Sequence, residues 1–228
     1  LKSYNKGREL ISMKIIQNLV SKSKHSIKCP YEMKPEFIVV HNTANDATAR
    51  SEVAYMIKNN NQASFHYAID DKEIVQGIPE NRNAWHAGDG NGPGNRKGIG
   101  IEICYSKSGG PRFIQAEKNA AKFIASKLKE KNWGIDKVKK HQDFSGKYCP
   151  HRTLDLGWQR FLNMIQTELN KLKEGDKVDK DKPSSWAKDA WEWAIKNNIT
   201  DGKRPKDNIT REEMVTMLYR YHHSHILS

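Results

Sequence analysis

Cysteine is scarce in this chain, with three residues in 228. An odd and small number argues against a disulfide framework and leaves the thiols for other roles. No run of apolar residues is long enough to span a bilayer, so no membrane-embedded function is expected. Residues 1–12 contain no apolar core of the kind that marks a secretory signal. Met13-Lys14-Ile15-Ile16 reads as a natural start, which makes residues 1–12 a remnant of expression. Also missing is any helix-turn-helix, zinc-finger or RNA-recognition signature. That absence matters because 39 Lys and Arg against 27 Asp and Glu give a net charge of +12.

The charge is uneven. From Pro183 onward 7 basic residues face 6 acidic ones, leaving +11 on the first 182 residues. A basic domain seeks polyanions. Its lysines are scattered over presumed helix faces rather than interleaved with aromatics, so an anionic cell-wall polymer fits as well as nucleic acid, and no nucleic-acid partner is expected.

In chain order, Ile15 to Lys28 has no assignable pattern. Phe37 to His41 reads as a buried strand, and Thr48 to Ile57 has helical spacing with Val53, Met56 and Ile57 on one face. Ser64–Asp70 and Lys72–Ile78 form a hairpin across Asp70-Asp71-Lys72. Asn81 to Lys97 is rich in Gly and Asn and holds Trp85-His86-Ala87-Gly88. Such a loop builds no core, so its indole and imidazole either face a ligand or pin the loop down. Ile99 to Tyr105 is strand-like with Glu102 in its middle, where a charge is costly unless paired or functional. Cys104 in that strand reads as a core thiol, and nothing requires it to pair with Cys29.

Gln115 to Lys131 is an amphipathic helix with Ala120, Phe123, Ile124 and Leu128 as its stripe. Leu156 to Leu172 is another, with Trp158, Phe161, Leu162, Ile165 and Leu169 inward. The charged run 173–183 reads as a linker. Two short helical patterns follow, Trp186–Asn197 and Thr210–Tyr221, the second opening on a capping-box sequence, Thr210-Arg211-Glu212-Glu213. His222, His223 and His225 are taken as a tail. The boundaries expected are a catalytic domain over 13–172, the linker over 173–183 and a small helical domain over 184–228. Alternating strands and helices before the linker predict an α/β fold, a central mixed sheet flanked by helices.

The chemistry concentrates in the loop-like stretch His141 to His151. Zinc takes imidazole nitrogen and thiolate sulfur as ligands, and this stretch holds both His141 and Cys149, with Lys147 two residues before the thiol. The strand ending at His41 delivers a third ligand. Three protein ligands with an open fourth position is the pattern of a catalytic zinc. Taken singly, His41 reads as a satisfied polar residue at a strand end and Cys149 as a small core residue. His151 is a competing ligand, set aside because it leaves His41 without a role. Phe65, His66, Tyr67, Trp85 and His86 are the candidates for lining a substrate groove, with His86 ranked first.

Five elements in order, Val39–Thr43, Ser64–Tyr67, Trp85–Gly88, Gly100–Glu102 and His141 through Lys147-Tyr148-Cys149-Pro150, resemble the zinc-dependent N-acetylmuramoyl-L-alanine amidases of the type 2 class, related to peptidoglycan-recognition proteins. The resemblance covers roughly residues 30 to 172 and is nearest to lysins of phages and prophages of Gram-positive, spore-forming bacteria. It implies zinc held by His41, His141 and Cys149, and cleavage of the amide between N-acetylmuramic acid and the L-alanine of the peptidoglycan stem. Glu102 and Lys147 fall where these lysins carry catalytic residues. Some relatives have a catalytic Tyr where this chain has Phe65, which shifts acid–base work to Glu102. Residues 186–194, 199–202 and 209–220 resemble one S-layer-homology-type module, implying wall anchoring. A lysin without a signal would be made in the cytoplasm and reach the wall after release, through a phage holin or lysis. A non-catalytic peptidoglycan receptor of the same fold is the alternative, and the oligomeric state stays open.

Overall fold

A computed structural model of the chain describes residues 15–176 and 182–225. The chain divides after Leu172 into two compact units. The first contains, in order, β1 (Ile15–Gln17), α1 (His25–Lys28), β2 (Phe37–Asn42), α2 (Ala49–Lys58), β3 (Tyr67–Ile69), β4 (Ile74–Gln76), α3 (Pro93–Lys97), β5 (Gly98–Ile103), α4 (Gly110–Glu130), β6 (Val138–Lys140), α5 (Gln142–Ser145), α6 (His151–Asp155) and α7 (Trp158–Asp176). The strands form one sheet in the order β1-β4-β3-β5-β2-β6. All neighbours are parallel except the β3–β4 hairpin. The hairpin turn is closed by Asp70, whose Oδ1 accepts from the backbone N–H groups of Lys72 and Glu73, each at 2.8 Å. This is the expected mixed sheet flanked by helices.

The central strands β2 and β5 are apolar on both faces because both faces are covered. Ile38, Val40, Ile99, Ile101 and Ile103 share a core with Phe113, Ile124 and Leu128 of α4 and with Phe161, Ile165 and Leu169 of α7. Glu117 of α4 is fully buried in this region and is paired with Arg160 of α7 at 2.6 Å, which ties the two helices together. The alternate residues, Phe37, Val39 and His41 on β2 and Gly98, Gly100 and Glu102 on β5, stand side by side in register on the opposite face. Two of these are glycines for a steric reason. A Cβ at position 98 would sit 2.5 Å from the Gly94 carbonyl oxygen, and one at position 100 would sit 2.7 Å from the His86 ring. The bare backbone lets α3 and His86 lie directly on the sheet.

Several boundaries differ from the sequence reading. The α4 helix starts at Gly110 rather than near Gln115, with Pro111 in its first turn, where a missing N–H costs nothing. Ile15–Lys28, which had no pattern, supplies β1 and α1; β1 is too short to show a period and gains its place by pairing with β4. The stretch from His141 to His151 is not all loop, since α5 lies within it and α6 begins at its end. Residues 173–176 of the supposed linker continue α7, while 177–181 lie outside the described residues, as do residues 1–12.

The second unit holds α8 (Lys188–Lys196) and α9 (Arg211–His225). The capping box forms: Glu213 N–H donates to Thr210 Oγ1 at 3.1 Å, and Thr210 N–H donates to Glu213 Oε2 at 2.8 Å. His222 and His223 belong to α9 rather than to a tail. Among the described residues no helix is long and apolar enough to cross a membrane.

Candidate metal centre

Strand β2 brings His41 to the carboxyl end of the sheet, and the segment after β6 brings His141 and Cys149 to the same place. One ligand atom from each lies within 4.8 Å of the others, and all three residues are buried. His41 Nδ1 faces His141 Nδ1 at 3.0 Å, and Cys149 Sγ lies 3.9 Å from His41 Nδ1. Tetrahedral zinc with its usual bond lengths sets two nitrogens about 3.3 Å apart and a nitrogen and sulfur about 3.6 Å apart. The donor set therefore fits zinc in kind, and the two pairs around His41 lie within about 0.3 Å of that spacing. His151, the competing ligand, begins α6 and is not part of the cluster.

The protonation states suit the same role. Burial, then the neighbouring His86, His141 and Lys147, hold the His41 pKa well below its ordinary value, so the ring is neutral with a lone pair to give. Burial and the positive charge of Lys147 lower His141 too. Burial, with help from Glu102, pushes the Cys149 thiol up to about 11, against the opposing pull of Lys147. A metal ligand must be thiolate, so metal entry expels this proton and affinity rises with pH.

Glu102 is paired in register with His41 across β2 and β5. Its Oε2 is buried and has no hydrogen-bond partner among the described residues. Burial first and the Glu52 carboxylate second raise its pKa to about 8, and Lys147 opposes both. Glu52, on α2, escaped the sequence reading. It accepts from Asn45 Nδ2 at 2.5 Å, a contact between a loop and a helix that no local pattern signals. Lys147 is exposed, and its charge acts on His41, His141, Glu102 and Cys149 together.

The five groove candidates do not converge on one surface. His66 is fully buried, with Nδ1 accepting from Gly100 N–H at 2.9 Å and Nε2 facing the Arg82 carbonyl at 2.9 Å. Burial brings its pKa down to about 4. Both ring nitrogens are occupied by backbone, which makes it a brace at the start of the interior strand β3. Tyr67 is buried against Phe123 on the opposite, α4-covered side, and its hydroxyl donates to Glu80 at 2.8 Å. Phe65 packs against the core. Trp85 stands edge-on to Tyr31 with ring centres 6.1 Å apart, and Arg96 lies 3.8 Å over the Tyr31 ring. His86, ranked first for substrate, instead points at a metal ligand. Its Nδ1 is 3.0 Å from His41 Nε2 and its Nε2 is 3.2 Å from the Gly98 carbonyl. Burial drops its pKa to about 3.

Comparison with known proteins agrees with this fold. The family model described as N-acetylmuramoyl-L-alanine amidase matches residues 31–152. The chain is 51% identical over 217 residues to the N-acetylmuramoyl-L-alanine amidase CwlA of Bacillus subtilis (strain 168), covering 92% of this chain and 79% of that protein. It is 59% identical over 162 residues to the amidase XlyB of the same strain, covering 70% of this chain and 51% of XlyB. Among solved structures it is similar to PlyL, with a TM-score of 0.66 and 56% identity over 67% of this chain and 97% of that one. With a matching family model over more than half its length and a mixed sheet that carries the amidase motifs to one end, this chain belongs to the N-acetylmuramoyl-L-alanine amidase family.

Proposed function

We propose that the chain is a zinc-dependent peptidoglycan hydrolase that cleaves the amide between the lactyl group of N-acetylmuramic acid and the L-alanine of the stem peptide. The observation that carries this reading is the convergence of His41, His141 and Cys149 beside Glu102 and Lys147. Zinc held by these three residues would supply Lewis acidity, lowering a water's pKa toward about 7. Glu102 takes the proton of the water that attacks the lactyl carbonyl. Lys147 Nζ balances the charge that builds on the carbonyl oxygen. The C–N bond then breaks, and Glu102 returns the proton to the departing nitrogen, which leaves as the free amine of L-alanine. Burial raises the carboxyl's pKa so that it holds a proton to donate near neutral pH, and the charge of Lys147 keeps its ionised form within reach.

The enzyme is proposed to act as a phage or prophage lysin on the wall of a Gram-positive host, after release from the cell that makes it. The second unit is proposed to retain it on anionic wall polymer. A cleft of about 680 Å³ in that unit is lined by Trp191, Lys203, Arg204 and Arg220 beside Asp207 and Glu213. The Trp191 Nε1 is buried without a partner among the described residues, leaving a donor for a ligand oxygen.

Digestion of purified peptidoglycan, read by mass spectrometry with and without a chelator, tests the activity. The expected products are free stem peptides beginning at L-alanine and intact glycan strands, both lost on chelation. Wall binding without new amino termini would instead make the chain a receptor.

A further inference from the structure

The segment Trp85–Gly88 lies against both metal histidines, yet it contributes no metal ligand and offers no free imidazole nitrogen to a substrate. If His41 binds through Nδ1, as its approach to His141 and Cys149 requires, its neutral ring carries the proton on Nε2. That proton faces His86 Nδ1 at 3.0 Å, so His86 must accept there and carry its own proton on Nε2, where the Gly98 carbonyl takes it at 3.2 Å. The opposite tautomer of His86 would set two N–H groups against each other and leave the Gly98 carbonyl facing a lone pair. The ring is also fixed in space, because it lies on Gly100 where any Cβ would strike it.

The next residues adjoin the second histidine. A Cβ at Gly88 would lie 3.3 Å from His141 Nε2, so the Ala87-Gly88 backbone meets the side of the ring away from His41. One buried side chain holds the middle of the segment. Asn95 Oδ1 accepts from the backbone N–H groups of both His86 and Ala87 at 2.7 Å each, while its Nδ2 donates to the Gly90 carbonyl at 2.9 Å. Asp89 in turn fixes Asn95, accepting from the N–H groups of Gly94 and Asn95 at 2.7 and 3.1 Å.

We propose that Trp85–Gly88, pinned by Asn95, is the orienting shell of the metal centre, with the His86 imidazole fixing His41 in its coordinating tautomer and the Ala87-Gly88 backbone seating the His141 ring. His86 and Asn95 are thus positioning residues. The inference rests on the metal reading of His41, His141 and Cys149. Partners of this kind usually set metal affinity by about 10–100-fold.

The test uses the full chain loaded with zinc. Chelator competition gives the zinc dissociation constant, and long-range 1H–15N NMR reports each histidine tautomer. In the wild type, His41 and His86 should both carry their proton on Nε2. His86→Leu should weaken zinc binding by about 10–100-fold, whereas His86→Asn, which keeps an acceptor at the δ position, should stay within a few-fold of wild type. Asn95→Ala should weaken zinc binding in the same direction, and Asn95→Asp, which keeps the acceptor, should recover much of it. Unchanged zinc affinity in His86→Leu with a raised KM would return His86 to the substrate groove and overturn the proposal. Should that variant fail to fold, the wild-type tautomers decide alone: a proton on His86 Nδ1 contradicts the proposal. A wild-type chain that takes up no zinc removes the metal reading itself, and this inference with it.

Discussion

The two units solve the problem of staying folded in different ways. In the first, a sheet covered on both faces buries its strands between helices, and nearly all the fully buried apolar side chains belong to it. In the second, Ile199 is the single buried apolar side chain among the described residues, while Trp186 is 88% exposed and Val215 65% exposed. A unit of 56 residues with so little interior gains little from burial. Its helices depend on local devices such as the Thr210–Glu213 capping box. The difference teaches where precision resides. The proposed metal site, with three donor atoms within 4.8 Å, sits on the unit with the rigid core, and the proposed wall-retention cleft sits on the unit that has none.

The largest expected effect separates the two units by function. Glu102→Gln should lower amide cleavage by about 10²–10⁴-fold while leaving zinc content and retention on intact walls unchanged. A loss of wall retention in parallel with turnover would break the division of labour. Next in size is a contrast in stability. Phe161→Ala, deep in the first unit, should cost about 3–5 kcal/mol in denaturant unfolding, whereas Val215→Ala on α9 should stay within about 0.5 kcal/mol. Equal costs would show that Val215 is covered by something.

A smaller effect concerns acid. Burial disfavours the Glu80 carboxylate, but hydrogen bonds from Lys127, Lys131 and Tyr67 outweigh it and bring the pKa down to about 2. A carboxyl depressed on folding contributes stability above its unfolded value of 4.5, and that contribution is lost as pH falls toward 2. Urea unfolding at stepped pH should therefore show the first unit weakening between pH 4.5 and 2, and Glu80→Gln should flatten that slope.

Much of the site was legible in the chain. A histidine closing an apolar strand, a charge inside another strand and a His-to-Cys stretch with a lysine each announce a cost that function explains. Their meeting point was not legible from spacing alone; the family resemblance supplied it. The substrate candidates show why. Phe65 and Tyr67 share a parity, as alternation requires, but in a sheet covered on both faces alternation does not say which face carries the chemistry. Tyr67 went to the α4 side. His86 lies in a loop without periodicity, so its direction depended on the glycine at position 100 and on Asn95, contacts made only after folding. Glu52 was invisible for the same reason, since its charge acts on Glu102 from a helix whose sequence signals only amphipathicity.

The metal geometry itself is open to direct observation. X-ray absorption at the zinc edge of the loaded full chain should give one sulfur at about 2.3 Å and two imidazole nitrogens at about 2.0–2.1 Å, with a light oxygen donor in the fourth position. Cys149→Ser should remove the sulfur shell and leave both nitrogens. A shell without sulfur in the wild type, or with more than two imidazoles, would place the metal away from His41, His141 and Cys149.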